Sequence, residues 1–460
     1  MGQFFVILRG NPGEPLRRWI NEIPNNGLIR YLDIFNLERV AVIKPKALAD
    51  VLVYNSYDFE KPAPLRKGIS RILGMGLFLA EGDLHRQQRK NLMPAFAFRH
   101  IKDLHSVFRD KSKELVEAIM HEINDTGESQ VEVSRWASRS TLDIIGLAGM
   151  GGDFNAIANP DSELLNTYRS IFSPGRAGRL LAVAGILLPA WLIRALPYRR
   201  NHDINHASGV IRAHCMSLIK RKRSRMSEGK EGTNDIIEIA LKSGAFPDHE
   251  LVDQLMTFLA AGHETSASAM TWVIYLLCKY PRVQSELRKE IFTCKSSRSH
   301  RTEETMGLAI PDNEYLGAVI NETLRLFPPV SVTVRVSIRD TVIVGEHIPK
   351  GTATTLAPWA TNAAFELWGT DALEFVPDRW LKSPKAAGST GNFSFMTFLH
   401  GPRSCIGERF AKAELAFLVA AWVTKFETRL VNEDFVPDIQ GGITVKPKDG
   451  LHVKVKLLDC

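Results

Sequence analysis

Three short stretches hold residue types and spacings that could do chemistry. The first is FLHGPRSCIG, residues 398–407, where Cys405 stands just before a stretch that reads as a helix. A helix N-terminus offers free N–H groups and a positive dipole end, and both lower a thiol's pKa toward the thiolate. Arg403 adds positive charge beside that thiolate. Gly401 and Gly407 carry no side chain, so a flat group or another backbone segment can come close. The same residues also fit a buried structural cysteine beside a turn.

The second stretch is Ala261-Gly262-His263-Glu264-Thr265, inside a long helical pattern. A glycine there costs about 1 kcal/mol relative to alanine. A threonine hydroxyl can bond a carbonyl one turn back and open the helix. Glu264 with Thr265 is an acid–alcohol pair of the kind that moves protons. An ordinary small-residue packing stripe is the competing reading. The third is Glu322-Thr-Leu-Arg325, whose ends share one helix face and can pair. Alone, such a pair is more often a solvated surface contact.

These residues need elements to hold them. A helix over 248–280 follows Pro247, can be capped by Asp248 and is ended by Pro281. A second helix is expected over 283–292, then a polar surface loop over 294–306. A helix over 312–327 stops at Pro328 and Pro329, and strands and turns follow over 330–348. Residues 406–425 read as another helix. Residues 441–457 alternate as a hairpin turning at Asp449-Gly450. Near the N-terminus, residues 29–53 read as short strands and then a helix over 46–52. The 83–123 stretch is helical with a break at Pro94, and 131–151 is helical again. The class is mainly α with small β-sheets.

The chain has 460 residues, enough for a large core that encloses a sizeable ligand. Its formal charge is +7. That surplus suits an acidic protein partner or an anionic membrane surface, or is simply a solvated face. Neither zinc-finger spacing nor a run of aromatics among basic residues is present, so no nucleic acid is expected. Five widely spaced cysteines without a CxxC pair argue against a disulfide framework and against structural zinc. The apolar start, residues 4–8, is too short to span a bilayer. The expectation is therefore a soluble or peripheral protein, or one whose anchor is missing from this chain. The apolar run at 180–193, flanked by arginines, reads either as a buried helix or as an element that dips into a membrane.

Phe398, Gly401, Arg403, Cys405 and Gly407 fit F-x-x-G-x-R-x-C-x-G, which resembles the haem-binding loop of cytochrome P-450 enzymes. The resemblance runs from about residue 29 to the C-terminus and is closest to fungal microsomal-type members. It implies one large domain over 29–460, with residues 1–28 as an N-terminal segment that lacks a full transmembrane anchor. It implies haem b with Cys405 as thiolate ligand, O2 as co-substrate and NADPH electrons delivered through a reductase. Glu322 and Arg325 then match the family's E-x-x-R helix, and Arg379 in Pro377-Asp378-Arg379-Trp380 matches the arginine that joins them in a buried charge cluster.

By the same resemblance Gly262 leaves room for dioxygen, Thr265 supports proton delivery and Glu264 links the relay to solvent. Arg89, Arg335 and Arg403 hold haem propionates. His85 stands where the family usually has tryptophan. Substrate contacts by position are Phe258, Ala261, Val332, Thr333, Val334 and Ile443, an apolar set that suits a lipophilic secondary-metabolite intermediate. Arg86, Lys90, Arg409 and Lys412 would face an acidic redox partner. A monomer on the cytosolic face of the endoplasmic reticulum is expected. Two rivals differ in chemistry: a haem-thiolate isomerase or dehydratase needing no external electrons, and a non-catalytic haem or lipid binder. The Glu264–Thr265 pair counts against both.

Overall fold

The computed structural model describes residues 2–3, 6–7, 11, 13–127, 129–162, 166–167, 199–229, 235–296, 313–382, 391–440 and 444–458. The apolar run at 180–193 and Ile443 lie outside them. The chain is mainly helical with small sheets. It divides into two compact units, one of residues 1–60, 108–138 and 264–460, the other of 61–107 and 139–263.

The first unit holds the sheets. Its five-stranded sheet runs in the order Leu28–Leu32, Glu38–Val42, Ala353–Leu356, Thr333–Ser337, Phe59–Glu60. Only the pair of Glu38–Val42 with Ala353–Leu356 is parallel. The apolar faces bury Val42, Leu48, Leu52, Phe59, Leu356 and Met396 in one cluster, and Leu16, Trp19, Tyr31 and Ala360 in another. The helix Glu14–Glu22 thus packs into the core through Leu16 and Trp19. Glu314–Leu326 begins where the Asn313 side chain accepts the Leu316 N–H at 2.8 Å and ends two residues before Pro328. Glu408–Lys425 buries twelve of its residues.

The C-terminal hairpin expected over 441–457 does not form. Lys446–Pro447 pairs with Ile439–Gln440, and His452–Leu457 is the central strand between Phe426–Leu430 and Gln130–Glu132. Asp449-Gly450 is a turn, but the strands on either side belong to different sheets. Pro447 lacks the N–H that a longer ladder would require, whereas His452–Leu457 has two partner strands waiting on its flanks.

In the second unit, Gly82–Leu92, the 3-10 turn Met93–Phe96 and Phe98–Asp103 realise the helical stretch broken at Pro94. Val133–Ile144 starts in the first unit, enters the second at Arg139 and continues into a π-helical segment, Ile145–Met150. The long helix is Asp248–Lys279; residues 248–263 fall in the second unit and 264–279 in the first. Two expectations about it fail. Asp248 is its first residue rather than its cap, and its carboxylate accepts from Arg223 at 2.8 Å. The helix is also unbroken through Gly262 and Thr265: the roughly 1 kcal/mol cost of one glycine does not interrupt a helix of 32 residues. The second helix is longer than expected, Pro281–Ser296, with Pro281 at its start where the missing N–H costs nothing.

Candidate active site

Cys405 follows the 3-10 turn Gly401–Arg403 and stands three residues before the helix Glu408–Lys425. Its N–H donates to the Phe398 carbonyl at 2.8 Å, and Ser404 N–H donates to Gly401 O at 3.0 Å. These bonds pin the loop on both sides of the thiol. Leu399 sits in the left-handed region at φ 53°, so the loop carries backbone strain next to the cysteine. Gly401 has φ 73°, and a Cβ there would lie 2.0 Å from the Leu52 carbonyl oxygen. Its small size thus admits another backbone segment. The Arg403 guanidinium lies 4.9 Å over the Tyr57 ring.

The Cys405 thiol is solvent-exposed and forms no disulfide, whereas Cys215 and Cys278 are buried. Burial pushes the thiols of both Cys215 and Cys278 up to about 12, which leaves them protonated and inert. Of Cys215, Cys278 and Cys405, Cys405 alone has the accessibility that ligation demands.

The structure joins Glu322, Arg325 and Arg379, all in the first unit. Arg325 and Glu322 form a two-pronged pair at 2.8 Å on each side, both side chains fully buried. Arg379 Nε donates to Glu322 at 2.9 Å and its Nη2 to Asp371 at 3.0 Å. Trp380 Nε1 and the Val376 N–H complete the shell of Glu322, at 2.9 and 3.0 Å. Arg325 also donates to the carbonyls of Asn362, Ala372 and Glu374 and lies 4.9 Å over the Trp368 ring.

From this cluster a chain of bonds reaches the cysteine loop. The Asn362 side chain donates to Thr397 Oγ1 at 2.8 Å and accepts the Met396 N–H at 2.7 Å, while Thr397 donates to Leu324 O at 2.7 Å. Sequence reading missed Asn362, Thr397 and the bonding role of Trp380. Trp380 adjoins Arg379 and could have been inferred, but nothing local marks the other two.

Arg335 lies on Thr333–Ser337, is 4% exposed, and donates through Nη1 to Thr333 Oγ1 at 2.8 Å and Val334 O at 3.0 Å. A buried guanidinium of this kind is a ready partner for an anion. Val332, Thr333 and Val334 are half-buried, and Val332 packs on the Trp19–Tyr31 cluster. Glu264 pairs with Lys446 at 3.6 Å, its side chain 20% exposed, and Thr265 beside it is half-buried. Two further bonds tie the same helix to the residue before Lys446: Ser268 Oγ and Trp272 Nε1 both donate to Val445 O, at 2.6 and 3.0 Å.

In the second unit, His85 is buried and Arg89 half-buried, one turn apart on Gly82–Leu92. Phe258 is buried edge-on against Phe96 at 5.6 Å, while Ala261 is exposed. A Cβ on Gly262 would stand 2.9 Å from the Ile145 δ-methyl.

Glu414, on the helix after Cys405, escaped the sequence reading. It is fully buried beside Ser266, and among the described residues neither carboxylate oxygen has a hydrogen-bond partner. Desolvation raises its pKa from 4.5 to about 8, so the native protein holds it neutral at pH 7. The native state therefore binds a proton that the unfolded chain releases, and stability should fall as pH rises from about 4.5 to about 8. The expected slope from this group is about 1 kcal/mol per pH unit. Thermal midpoints of Glu414→Gln across pH 5–8 should be flatter than those of the parent. Identical slopes would show that Glu414 does not carry the effect.

The family model described as Cytochrome P450 matches residues 26–455. The cytochrome P450 monooxygenase sphH of Aspergillus fumigatus is 43% identical over 458 residues, covering 97% of this chain and 84% of its own. The cytochrome P450 monooxygenase ALT8 of Alternaria alternata is 40% identical, with 97% and 86% covered. FUM15 of Gibberella moniliformis, another cytochrome P450 monooxygenase, is also 40% identical, with 96% and 84% covered.

Proposed function

We propose, from the premise that this chain belongs to the cytochrome P450 family, that it oxidises a lipophilic secondary-metabolite intermediate with NADPH electrons delivered through a reductase. It is a haem-thiolate monooxygenase that uses O2 and incorporates one oxygen atom into an organic substrate. When bound, the haem supplies the redox chemistry of oxygen activation, with thiolate ligation favouring O–O cleavage.

The observation that carries this reading is Cys405. Its exposed thiol on a strained, backbone-pinned loop before a helix would hold the haem iron as a thiolate. Phe398, Gly401 and Gly407 shape that loop. Arg335, Arg403, Arg89 and His85 are assigned to the haem carboxylates, with the buried guanidinium of Arg335 the best supported. Glu322, Arg325 and Arg379 keep the underlying core in place and touch no reactant. Glu264, partly open to solvent and held by Lys446, takes up protons, and Thr265 hands them on; Gly262 is the small residue of their turn. Phe258, Ala261, Val332, Thr333, Val334 and Ile443 are assigned to an apolar substrate.

Residues 29–460 act as one catalytic domain in this reading, with 1–28 leading into it. The family match over 26–455 supports treating them together. Among the described residues, no helix is long and apolar enough to cross a membrane. Attachment to the cytosolic face of the endoplasmic reticulum as a monomer, by peripheral contact, is proposed.

The test needs no substrate. The holoprotein is mixed with a fungal cytochrome P450 reductase and NADPH under carbon monoxide, and the red-shifted Soret band of the thiolate-ligated carbonyl form is followed. The band should grow with both reductase and NADPH present and with neither alone. Reduction by dithionite but not by the reductase, together with NADPH-independent turnover of cumene hydroperoxide, would overturn the electron-delivery assignment in favour of a rearranging enzyme.

A further inference from the structure

The helix Val133–Ile144 and the π-helical turn after it meet the long helix one residue short of Glu264. Thr141 is fully buried, and its hydroxyl donates to the His263 carbonyl at 3.2 Å. That carbonyl lies inside an unbroken helix. A hydroxyl donating to it from outside draws it off the axis and leaves its own helical bond shared. One turn on, Ile145 is 3% exposed and lies over Gly262. A Cβ on Gly262 would be 2.9 Å from Cδ1 and 3.0 Å from Cγ1 of Ile145. The same δ-methyl would stand 3.2 Å from a Cβ on Gly149. Two glycines therefore border one methyl group, and a side chain at either would crowd it. Ile145 opens the π-helical segment Ile145–Met150, and such segments cost stability and recur where function re-aims a side chain.

We propose that Thr141 and Ile145 are positioning residues that grip the long helix at His263 and Gly262 and set the orientation of the next two residues, Glu264 and Thr265. On this view the small size of Gly262 serves the approach of Ile145 before it serves any ligand. The catalytic consequence rests on the proton-relay reading of Glu264 and Thr265; the grip itself does not.

Four variants of the holoenzyme test it: Gly262→Ala, Gly262→Ala with Ile145→Val, Thr141→Val and Thr141→Ser. The first readout is hydrogen exchange of the amides of residues 263–269 by mass spectrometry. The second is the share of reducing equivalents released as hydrogen peroxide during reductase-driven NADPH oxidation. Gly262→Ala should speed exchange about tenfold, the scale of one lost buried contact, and raise the peroxide share. Ile145→Val removes the nearer of the two colliding carbons, leaving Cγ1, and should bring both readouts back toward the parent, or restore folding if Gly262→Ala alone does not fold. Thr141→Val should speed exchange and Thr141→Ser should not.

A double variant as perturbed as Gly262→Ala would overturn the proposal and return the glycine to the role of leaving room for a ligand. So would Thr141→Val exchanging like the parent. Thr265→Ala is run alongside. If its peroxide share matches the parent, the relay reading fails, while the exchange data still decide the grip.

Discussion

Cys405→Ser should abolish the red-shifted carbon monoxide band and all monooxygenase turnover while leaving the fold intact. The loop geometry explains why both halves hold. The bonds that shape it run through the backbone: Cys405 N–H to Phe398 O and Ser404 N–H to Gly401 O. Gly401 is wedged against the Leu52 carbonyl irrespective of the residue four positions later. Serine keeps each of these. A hydroxyl, however, is not deprotonated near neutral pH, and it lacks the soft sulfur that donates electron density to iron. Cys215→Ser and Cys278→Ser serve as controls, since buried thiols pushed up to about 12 ligate nothing. The paired spectra of dithionite-reduced protein check the outcome. An unshifted band in the parent, or one that survives Cys405→Ser, would remove Cys405 from the iron.

Glu322→Ala should be strongly destabilising. Glu322 accepts five hydrogen bonds, from Nε and Nη2 of Arg325, Nε of Arg379, Nε1 of Trp380 and the Val376 N–H, at 2.8 to 3.0 Å. Removing its carboxylate leaves the Arg325 guanidinium without its counter-ion at zero exposure and takes the acceptor from three further donors, on Arg379, Trp380 and Val376. Breaking one partner of a buried ion pair costs about 3–5 kcal/mol, a large part of the 5–15 kcal/mol that holds a typical domain together. The loss should reach the cysteine loop, because Arg325 holds the Asn362 carbonyl while the Asn362 side chain fixes Met396 and Thr397. Haem content per protein should therefore fall with the thermal midpoint. Glu322→Gln, which keeps the shape but not the charge, should lie between. A stable holoprotein from Glu322→Ala would show the cluster to be dispensable.

Much of this was written in local sequence. The helix Glu314–Leu326 was legible because its cap, Asn313, and its stop, Pro328, lie within a few residues of its ends. The pairing of Glu322 with Arg325 follows from three-residue spacing on one helix. Cys405 could be singled out because the groups that shape its chemistry, Gly401, Arg403, Gly407 and the helix after it, are contiguous. What the sequence left open concerns groups whose partners lie far along the chain. Lys446 meets Glu264, and Asn362 bridges to Thr397 and Met396. The C-terminal residues read as a hairpin by alternation and turn chemistry, yet His452–Leu457 pairs with Phe426–Leu430 and Gln130–Glu132. Alternation states that a strand has one buried face but not which edge will receive its N–H groups. Gly262 shows the same limit: its type left a distorted helix, a packing stripe or room for a ligand open, and only packing placed Ile145 against it. Local signals act through bonds within one turn and so can be read in order, whereas distant contacts depend on which buried polar groups and cavities are left once all the elements have packed.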